Sequence, residues 1–394
     1  MSKVKRKSEA WIDAALANLR ARHLDRHITV AGGVGGSFTV GEERWLNFAS
    51  NDYLDFARHP RLKAAAIQAI TTYGVGATAS RLVAGTLPLH KELEDRIAQH
   101  KGYPAALLFG SGYLTNAGVI PSLIGRHDHA FIDRLAHASI IDAVQRSGAQ
   151  LHRFAHNDPQ ALAELLDLHN SGRKLVVTES VFSMDGDLAP LEPMAEVAAQ
   201  HDALLLVDEA HAGGVFGPGG SGRVAALGLH SRVDLSMGTL SKAIGGYGGY
   251  VACSDRLREW LINTARAFIY TTALPPPVLA AADAAFQLLD DQPNLGEKLL
   301  KKASTFRQQL QAAGLDTLQS ESQIVPVRVA DNEAVLRVAQ RLKSEHILVG
   351  AIRPPTVPPG SARLRLSVTL AHTDADLERT AAAIDKAISE EERR

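Results

Sequence analysis

The sequence contains a single cysteine, Cys253, among its 394 residues. No internal disulfide can therefore form, which is typical of a protein from a reducing compartment. No apolar stretch approaches the roughly 20 residues that a membrane-spanning helix requires. The net charge of -1, from 42 basic and 43 acidic residues, lacks the positive excess of general nucleic-acid binders. We expect a cytoplasmic protein that binds neither nucleic acid nor membranes.

Strand and helix patterns alternate through the middle of the chain. The strand candidates are residues 105–109, 130–133, 150–154, 175–178, 204–207, 234–237 and 249–252. Helical patterns separate the first five of them, and such alternation is typical of an α/β fold with a mostly parallel sheet covered on both faces. Ligands bind to such a sheet at the carboxyl ends of its strands.

Two changes of pattern divide the chain. The first part has a helical pattern followed by a glycine-rich turn, and the prolines at residues 275–277 end the alternating part. Helices and strands are mixed in the remainder. We predict an N-terminal helical segment at 1–45, a large domain at 46–283 and a smaller α+β C-terminal domain at 284–394.

Three polar side chains that follow predicted strands form the set that pyridoxal phosphate requires. Lys242 lies among small residues shortly after strand 234–237, and Asp208 and His211 follow strand 204–207. A lysine can bind the aldehyde of this cofactor, and an aspartate can pair with its pyridinium nitrogen. Taken alone, Lys242 is better explained as a solvated lysine in a glycine loop. The combination favours a pyridoxal phosphate site.

Two other segments fit the same site. Residues 109–118 (FGSGYLTNAG) follow a strand and open a helix, so their backbone amides can bind a phosphate. His137 follows another strand, and a flat imidazole there can stack on a pyridine ring. The glycine loop together with Asp133 also allows a nicotinamide dehydrogenase. That alternative leaves Lys242 without a role.

The acidic residues 179–187 and the run 208–211 (DEAH) allow two further interpretations. The first group suggests a metal, but it matches no metal-binding motif. The second also occurs in helicase ATPases, which need a phosphate loop that this sequence lacks. We therefore predict no metal site and no nucleic-acid motor.

In order and spacing, these segments resemble the α-oxoamine synthases, from about Trp45 to the end of the chain. This family consists of pyridoxal-phosphate transferases of fold type I that join an amino acid to an acyl-CoA with loss of CO2. The resemblance implies a mostly parallel large domain, a smaller α+β C-terminal domain and a short N-terminal segment. The residues that carry it are Gly112, Tyr113, His137, Ser183, Asp208, His211, Thr239 and Lys242.

The resemblance also implies roles for these residues. Lys242 would hold the cofactor and act as acid and base, Asp208 would pair with the ring nitrogen, and His137 would stack on the ring. His211 would contact the 3-oxygen of the ring. The other cofactor contacts, several of them near its phosphate, would be Gly112, Tyr113, Ser183 and Thr239.

The family is dimeric with shared active sites, which implies that Thr271 or Thr272 reaches the phosphate held by a partner subunit. Substrate contacts also follow from the resemblance. Asn51 and Arg353 would bind the carboxylate of the amino acid. The acyl substrate would contact Thr356 and an N-terminal arginine, which is Arg26 or one of its neighbours Arg20 and Arg22.

Residues 351–366 (AIRPPTVPPGSARLRL) indicate the substrate pair. They are similar to family members that condense L-alanine with pimeloyl-CoA, or a pimeloyl carrier protein, to 8-amino-7-oxononanoate in biotin biosynthesis. The alternatives within the family are glycine with acetyl-CoA or succinyl-CoA, and serine with palmitoyl-CoA. A non-catalytic protein of the same fold is a further alternative, against which the intact Lys242, Asp208 and His137 argue.

Overall fold

Residues 9–28, 30–329 and 331–393 are described by a computed structural model. The strands are β1 (Ser37–Val40), β2 (Glu43–Asn47), β3 (Ala105–Phe109), β4 (His129–Asp133), β5 (Gln150–Phe154), β6 (Lys174–Glu179), β7 (Leu204–Asp208), β8 (Leu235–Thr239), β9 (Gly249–Cys253), β10 (Ile324–Arg328), β11 (Ile347–Leu348), β12 (Gly350–Ile352) and β13 (Arg363–Ser367).

The helices lie between these strands and at both ends of the chain. They are α1 (Ala10–Ala21), α2 (Pro60–Tyr73), α3 (Pro88–Lys101), α4 (Gly112–Leu123), α5 (Ala138–Ser147), α6 (Pro159–Leu168), α7 (Leu191–Gln200), α8 (Arg223–Ala226), α9 (Asp255–Thr264), α10 (Arg266–Ile269), α11 (Pro276–Asp291), α12 (Leu295–Ala312), α13 (Asn332–Ser344) and α14 (Asp374–Glu392). Among the described helices, none combines the length and the apolar character needed to cross a membrane.

A seven-stranded sheet with the order β3-β9-β8-β7-β6-β4-β5 forms the centre of the large domain. Strands β4 to β8 pair in parallel, whereas β9 is antiparallel to both of its neighbours. The prediction of a mostly parallel α/β sheet is confirmed. The carboxyl ends of β6, β7 and β8 lie side by side, since Glu179 is opposite Asp208 and Asp208 is opposite Met237.

Continuous apolar runs explain why these strands occupy the centre of the molecule. All five residues of β3 and of β9 are buried, as are the last five of β6. Parallel strands with helices on both faces have no solvated side, so apolar residues follow one another without alternation. The two faces of the sheet pack into separate apolar clusters, one around Phe131 and Val176, the other around Leu175 and Val177.

The C-terminal part contains a smaller antiparallel sheet in the order β10-β13-β12. Strands β1 and β2, which the sequence analysis did not predict, form a hairpin that pairs with β11 in parallel. The first and last parts of the chain thus share a sheet. Helix α11 runs through residues 283 and 284, where the sequence places the start of the C-terminal domain.

Candidate active site

The polar residues predicted from strand ends meet at the carboxyl edge of the central sheet. They surround a cavity of about 230 Å³. They reach it from the ends of four strands, β3, β4, β7 and β8, or from the loops and helix starts that follow them, as expected for a parallel sheet. The predicted residues that line this cavity are Gly112, Tyr113, His137, Asp208, His211, Thr239 and Lys242.

Lys242 points its amine at a neighbouring imidazole. Its Nζ lies 2.6 Å from Nε2 of His211. Burial lowers the pKa of Lys242 to about 8; the carboxylate of Asp208 opposes this shift, and the positive charge of Arg365 adds to it. A far larger fraction of this amine than of an ordinary lysine is therefore neutral near physiological pH and able to act as a nucleophile or a base.

His211 continues a chain of hydrogen bonds away from Lys242. Its Nδ1 lies 2.6 Å from the hydroxyl of Tyr53, which in turn donates to Oδ1 of Asn51 over 3.2 Å. Burial, followed by the charge of Lys242, lowers the pKa of His211 well below its usual value. A neutral ring with its proton on Nδ1 satisfies every bond, because Nε2 then accepts from the Lys242 amine.

Asp208 is buried and held on both of its oxygens. Oδ1 accepts from the backbone amide of Ala210 over 2.9 Å, and Oδ2 accepts from the side-chain amide of Asn116 over 3.0 Å. Asn116 is fully buried and also donates to Oγ of Ser139. These bonds fix a carboxylate at the cavity wall, where it can pair with a protonated ring nitrogen.

His137 is the N-cap of α5 and lines the cavity with a neutral ring. Its Nδ1 accepts from the amide of Ser139, and its own amide donates to Glu179 over 2.6 Å. Burial lowers the pKa of His137 despite the opposing charge of Asp208. Burial, reinforced by Asp208, raises the pKa of Glu179 to about 8. The protonated form of Glu179 thus prevails near neutral pH, next to the backbone of His137.

The start of α4 forms the remaining wall. Ser111 caps this helix by accepting from the amide of Leu114, and the amides of the first turn have no partner within the helix. Gly112 leaves room at this point, because an added Cβ would lie 3.2 Å from Met237 Cε and 3.5 Å from the Thr239 side chain. A phosphate fits here, since a helix N-terminus favours negative charge.

Other predicted residues lie outside this cavity. Ser183 is half-buried, and its carbonyl accepts from Arg365 Nε over 2.5 Å. Thr271 is half-buried and Thr272 is exposed, paired with Ser80 in an isolated bridge. Asn51 lines an adjoining cavity of about 670 Å³ that also reaches Lys242.

The predicted arginine of the substrate site also lies away from Lys242. The guanidinium of Arg353 donates to the backbone carbonyls of His23 and Asp25. Arg26 and Thr356 are both exposed near this contact, and the amide of Thr356 donates to the carbonyl of Arg353. The structure thus gathers these three predicted residues at a separate place.

Arg365 is a residue that the sequence analysis missed. It is 7% exposed, and its Nη1 donates to Oδ1 of Asn51 over 3.2 Å and to Oγ of Ser367 over 3.0 Å. Its charge acts on both Lys242 and His211. A buried arginine in a strand is rare without a specific partner, so the fully buried β13 (RLRLS) was a usable signal.

The residues around the 230 Å³ cavity fit pyridoxal phosphate. They provide an amine of lowered pKa, a fixed carboxylate facing it, a neutral imidazole on the wall and a helix N-terminus for the phosphate. Gly112 lies close to Met237 and Thr239 and, having no side chain, leaves that end of the cavity open. Each feature matches one part of the cofactor.

Comparison with known proteins agrees with a site of this kind, in a pyridoxal-phosphate-dependent enzyme. The family described as "Aminotransferase class I and II" matches residues 43–384. The chain therefore belongs to the aminotransferase class I and II family.

Within this family, the chain is similar to particular enzymes. It is 48% identical over 377 residues to the 8-amino-7-oxononanoate synthase of Geobacter sulfurreducens, which covers 95% of this chain and 96% of that protein. A structure of serine palmitoyltransferase (SPT) with a pyridoxal phosphate (PLP) internal aldimine superposes with a TM-score of 0.92 at 32% identity, covering 98% and 100% of the two chains. The 8-amino-7-oxononanoate synthase of Francisella tularensis superposes with a TM-score of 0.76 at 29% identity, covering 88% and 99%.

Proposed function

We propose that this protein is a pyridoxal-phosphate-dependent acyltransferase of biotin biosynthesis. It condenses L-alanine with a pimeloyl thioester, carried by CoA or by a carrier protein, to 8-amino-7-oxononanoate, with release of the thiol and CO2. The observation that carries the proposal is the position of Lys242, which faces Asp208 and touches His211 in a chain that matches 8-amino-7-oxononanoate synthases over 95% of its length.

The chain's residues hold the cofactor in a defined orientation. Bound to Lys242, pyridoxal phosphate supplies an aldehyde for the amino group of alanine and a cationic ring that accepts electrons from its Cα. Asp208 would keep the ring nitrogen protonated through a charge-assisted hydrogen bond. His137, the N-cap of α5, would lie against the ring, and the first turn of α4 would bind the phosphate.

Lys242 moves the proton on which the reaction depends. When its Nζ is not bound to the cofactor, Lys242 would take the proton from alanine Cα as a general base. The pKa of about 8 makes the neutral form accessible near physiological pH. The same amine would return a proton to that carbon in the product.

Arg365 and Asn51 form the pocket that we assign to the alanine carboxylate. The guanidinium is buried beside Asn51, and its charge reaches Lys242. A planar guanidinium suits a carboxylate because it can donate two parallel hydrogen bonds. Arg353, the ligand proposed from the sequence, lies with Arg26 and Thr356, and we assign these three residues to the entry of the acyl substrate.

A homodimer with shared active sites completes the proposal. Large apolar side chains are exposed on α2 and on the loops near Thr272, which is typical of an interface rather than of a solvated surface. These side chains are Ile67, Tyr73, Val75, Leu82, Val83 and Tyr270. On this arrangement Thr271 and Thr272 reach the phosphate in the partner's site. A cytoplasmic location remains a prediction from composition.

Serine palmitoyltransferase activity is the second candidate, since that enzyme superposes with a TM-score of 0.92. Its sequence identity of 32% is well below the 48% shared with an 8-amino-7-oxononanoate synthase. The fold is therefore shared by both enzyme types, and the higher sequence identity favours the pimeloyl substrate.

A comparison of substrates decides between the two candidates. Purified holoenzyme is supplied with L-alanine and pimeloyl-CoA, with L-serine and palmitoyl-CoA, or with glycine and acetyl-CoA, and the products are identified by mass spectrometry. We expect the highest kcat/KM with the first pair and the mass of 8-amino-7-oxononanoate. Equal or better use of either other pair would overturn the proposal.

A further inference from the structure

Three histidines form a cluster near the amino end of β4, away from the carboxyl edge of the sheet where Lys242 lies. They are His129 at the start of β4, His152 in β5 and His169 at the C-cap of α6. One ring nitrogen of each lies within 4.8 Å of the others, and Nδ1 of His129 is 3.0 Å from Nε2 of His152. Sequence motifs did not indicate this group, because its members belong to three separate elements.

The three imidazole rings pack directly against one another. The centroids of His152 and His169 are 3.9 Å apart, and each of these rings is about 5 Å from that of His129. Phe131 packs against His152 at 5.0 Å and closes the inner side. His129 is 4% exposed and the other two are half-buried, so the group opens outward along the edge strand β5.

The contact between the rings of His129 and His152 is a hydrogen bond, in which one ring nitrogen donates and the other accepts. The nearest carboxylate, Asp128, is already bound by the guanidinium and amide of Arg173. A cation among the three rings would replace the hydrogen bond between His129 and His152 by coordination, with each ring offering one nitrogen.

We propose that His129, His152 and His169 form a binding site for a divalent transition metal, with Zn²⁺ as the ion of best fit. Neutral imidazoles are ligands for zinc, whereas magnesium and calcium prefer oxygen. Tetrahedral zinc with bonds of about 2.0–2.1 Å keeps its nitrogens roughly 3.3 Å apart. The ring nitrogens lie within 4.8 Å of one another, so the half-buried rings of His152 and His169 would move closer together around the ion, and a water would take the fourth position.

The position of the site gives it a structural role. His129 and Asp133 are the two ends of β4, so the site lies roughly 13 Å along the strand from the catalytic edge. A bound ion would join β4, the edge strand β5 and the end of α6. We therefore expect Zn²⁺ to raise the temperature of unfolding without changing the absorption of the bound cofactor.

The test is a titration of tag-free protein saturated with pyridoxal phosphate, because the cofactor blocks metal binding near Lys242. Zn²⁺ alone is added, and binding is followed by calorimetry and thermal unfolding. We expect about one ion per chain. His152→Gln and His169→Gln should weaken binding by more than the roughly 10–100-fold typical of an outer-shell change. His127→Gln, an exposed histidine outside the cluster, should bind like the wild type.

Absence of saturable binding to the wild-type holoenzyme would overturn the proposal. So would equal affinity in the cluster variants, or an equal loss in His127→Gln. The titration of the wild-type holoenzyme tests the proposal even if a variant fails to fold. Co²⁺ in place of Zn²⁺ should show the strong visible absorption of a tetrahedral ion, and the weak absorption of an octahedral one would contradict a site of three imidazoles and one water.

Discussion

At the scale of single residues, the reactivity of Lys242 results from opposing influences. Burial and the charge of Arg365 favour the neutral amine, whereas Asp208 favours the ammonium form. His211 accepts a hydrogen bond from the same nitrogen and fixes its direction. An unperturbed lysine would be almost wholly protonated at neutral pH. The surroundings of Lys242 thus prepare it to bind an aldehyde and to take a proton.

This balance predicts how cofactor loading depends on pH. Only the neutral amine attacks the aldehyde, so the rate at which the apo-protein takes up pyridoxal phosphate should rise with pH and level off above about 8. Stopped-flow absorbance measures the rate. Arg365→Gln removes a charge that lowers the pKa of Lys242. The uptake rate of this variant should therefore level off at a higher pH than that of the wild type. A wild-type rate still rising steeply at about pH 10, as for an ordinary lysine, would contradict this assignment.

A second prediction distinguishes the roles of Arg365 and Arg353. Arg365→Leu should raise the KM for alanine at least about tenfold, because charged hydrogen bonds contribute roughly 1.5–3 kcal/mol. Arg353→Leu serves as the matched comparison and should raise the KM for the pimeloyl thioester instead. Steady-state kinetics with each substrate varied in turn distinguishes them. The assignment is wrong if Arg353→Leu carries the larger effect on alanine.

The sequence predicted those site residues that directly follow a strand or open a helix. Lys242, Asp208 and His137 belong to this group, and the structure brings them to one cavity. Arg365 was missed because β13 is remote in sequence and approaches only after the C-terminal part has packed. Asn116 was also missed as a partner of Asp208, since a buried amide on a helix has no local sequence pattern.

At the scale of elements, apolar runs were sufficient to predict the strands of the central sheet. The candidate 105–109 coincides with the buried strand β3, and the candidate 249–252 lies within the buried strand β9. The antiparallel direction of β9 could not be predicted, because direction depends on a connection through space rather than on the strand's own residues. Strands β1 and β2 were missed for a related reason, since they are short and depend on pairing with the distant β11.

The start of α14 allows a prediction about stability. Asp376 completes a capping box with Thr373 and forms two hydrogen bonds with Arg44 of β2, at 2.6 and 2.8 Å. Burial alone would raise the pKa of Asp376, but these bonds outweigh it and hold the pKa well below its usual range. Asp376→Asn should lower the free energy of unfolding at pH 7 by about 1.5–3 kcal/mol.

The sign of the pH effect follows from that depressed pKa. The contribution of Asp376 is fully present above the carboxyl's unfolded pKa of about 4 and is lost progressively as pH falls toward the folded value. Urea denaturation should therefore show a smaller gap between wild type and variant at about pH 3 than at pH 7. Asp374→Asn, on the exposed side of the same turn, should cost less than about 0.5 kcal/mol. Equal losses for both variants would contradict this account.

At the scale of the whole molecule, the proposed active sites are shared, so that each site needs residues from two chains. Thr271 and Thr272 lie outside the cavity of their own chain, beside exposed apolar side chains such as Tyr270. A two-fold axis that buries these side chains also allows each chain to contribute to its partner's site. Activity should then depend on residues from both subunits.

Subunit mixing tests this dependence. Lys242→Ala and the double variant Thr271→Ala/Thr272→Ala should each have low activity as homodimers. Random mixing produces heterodimers in which one site has every wild-type residue, so about a quarter of wild-type activity should return. Separate sites would give no recovery. Near-normal activity of the threonine variant alone would also contradict its role.

The central claim is a covalent bond between Lys242 and the aldehyde of pyridoxal phosphate, and borohydride reduction tests it most directly. Reduction of the holoenzyme makes the link permanent, and mass spectrometry of its peptides locates it. We predict that the cofactor's mass is found on Lys242 alone and is absent from reduced Lys242→Ala. A label on another side chain, or no label at all, would contradict the account.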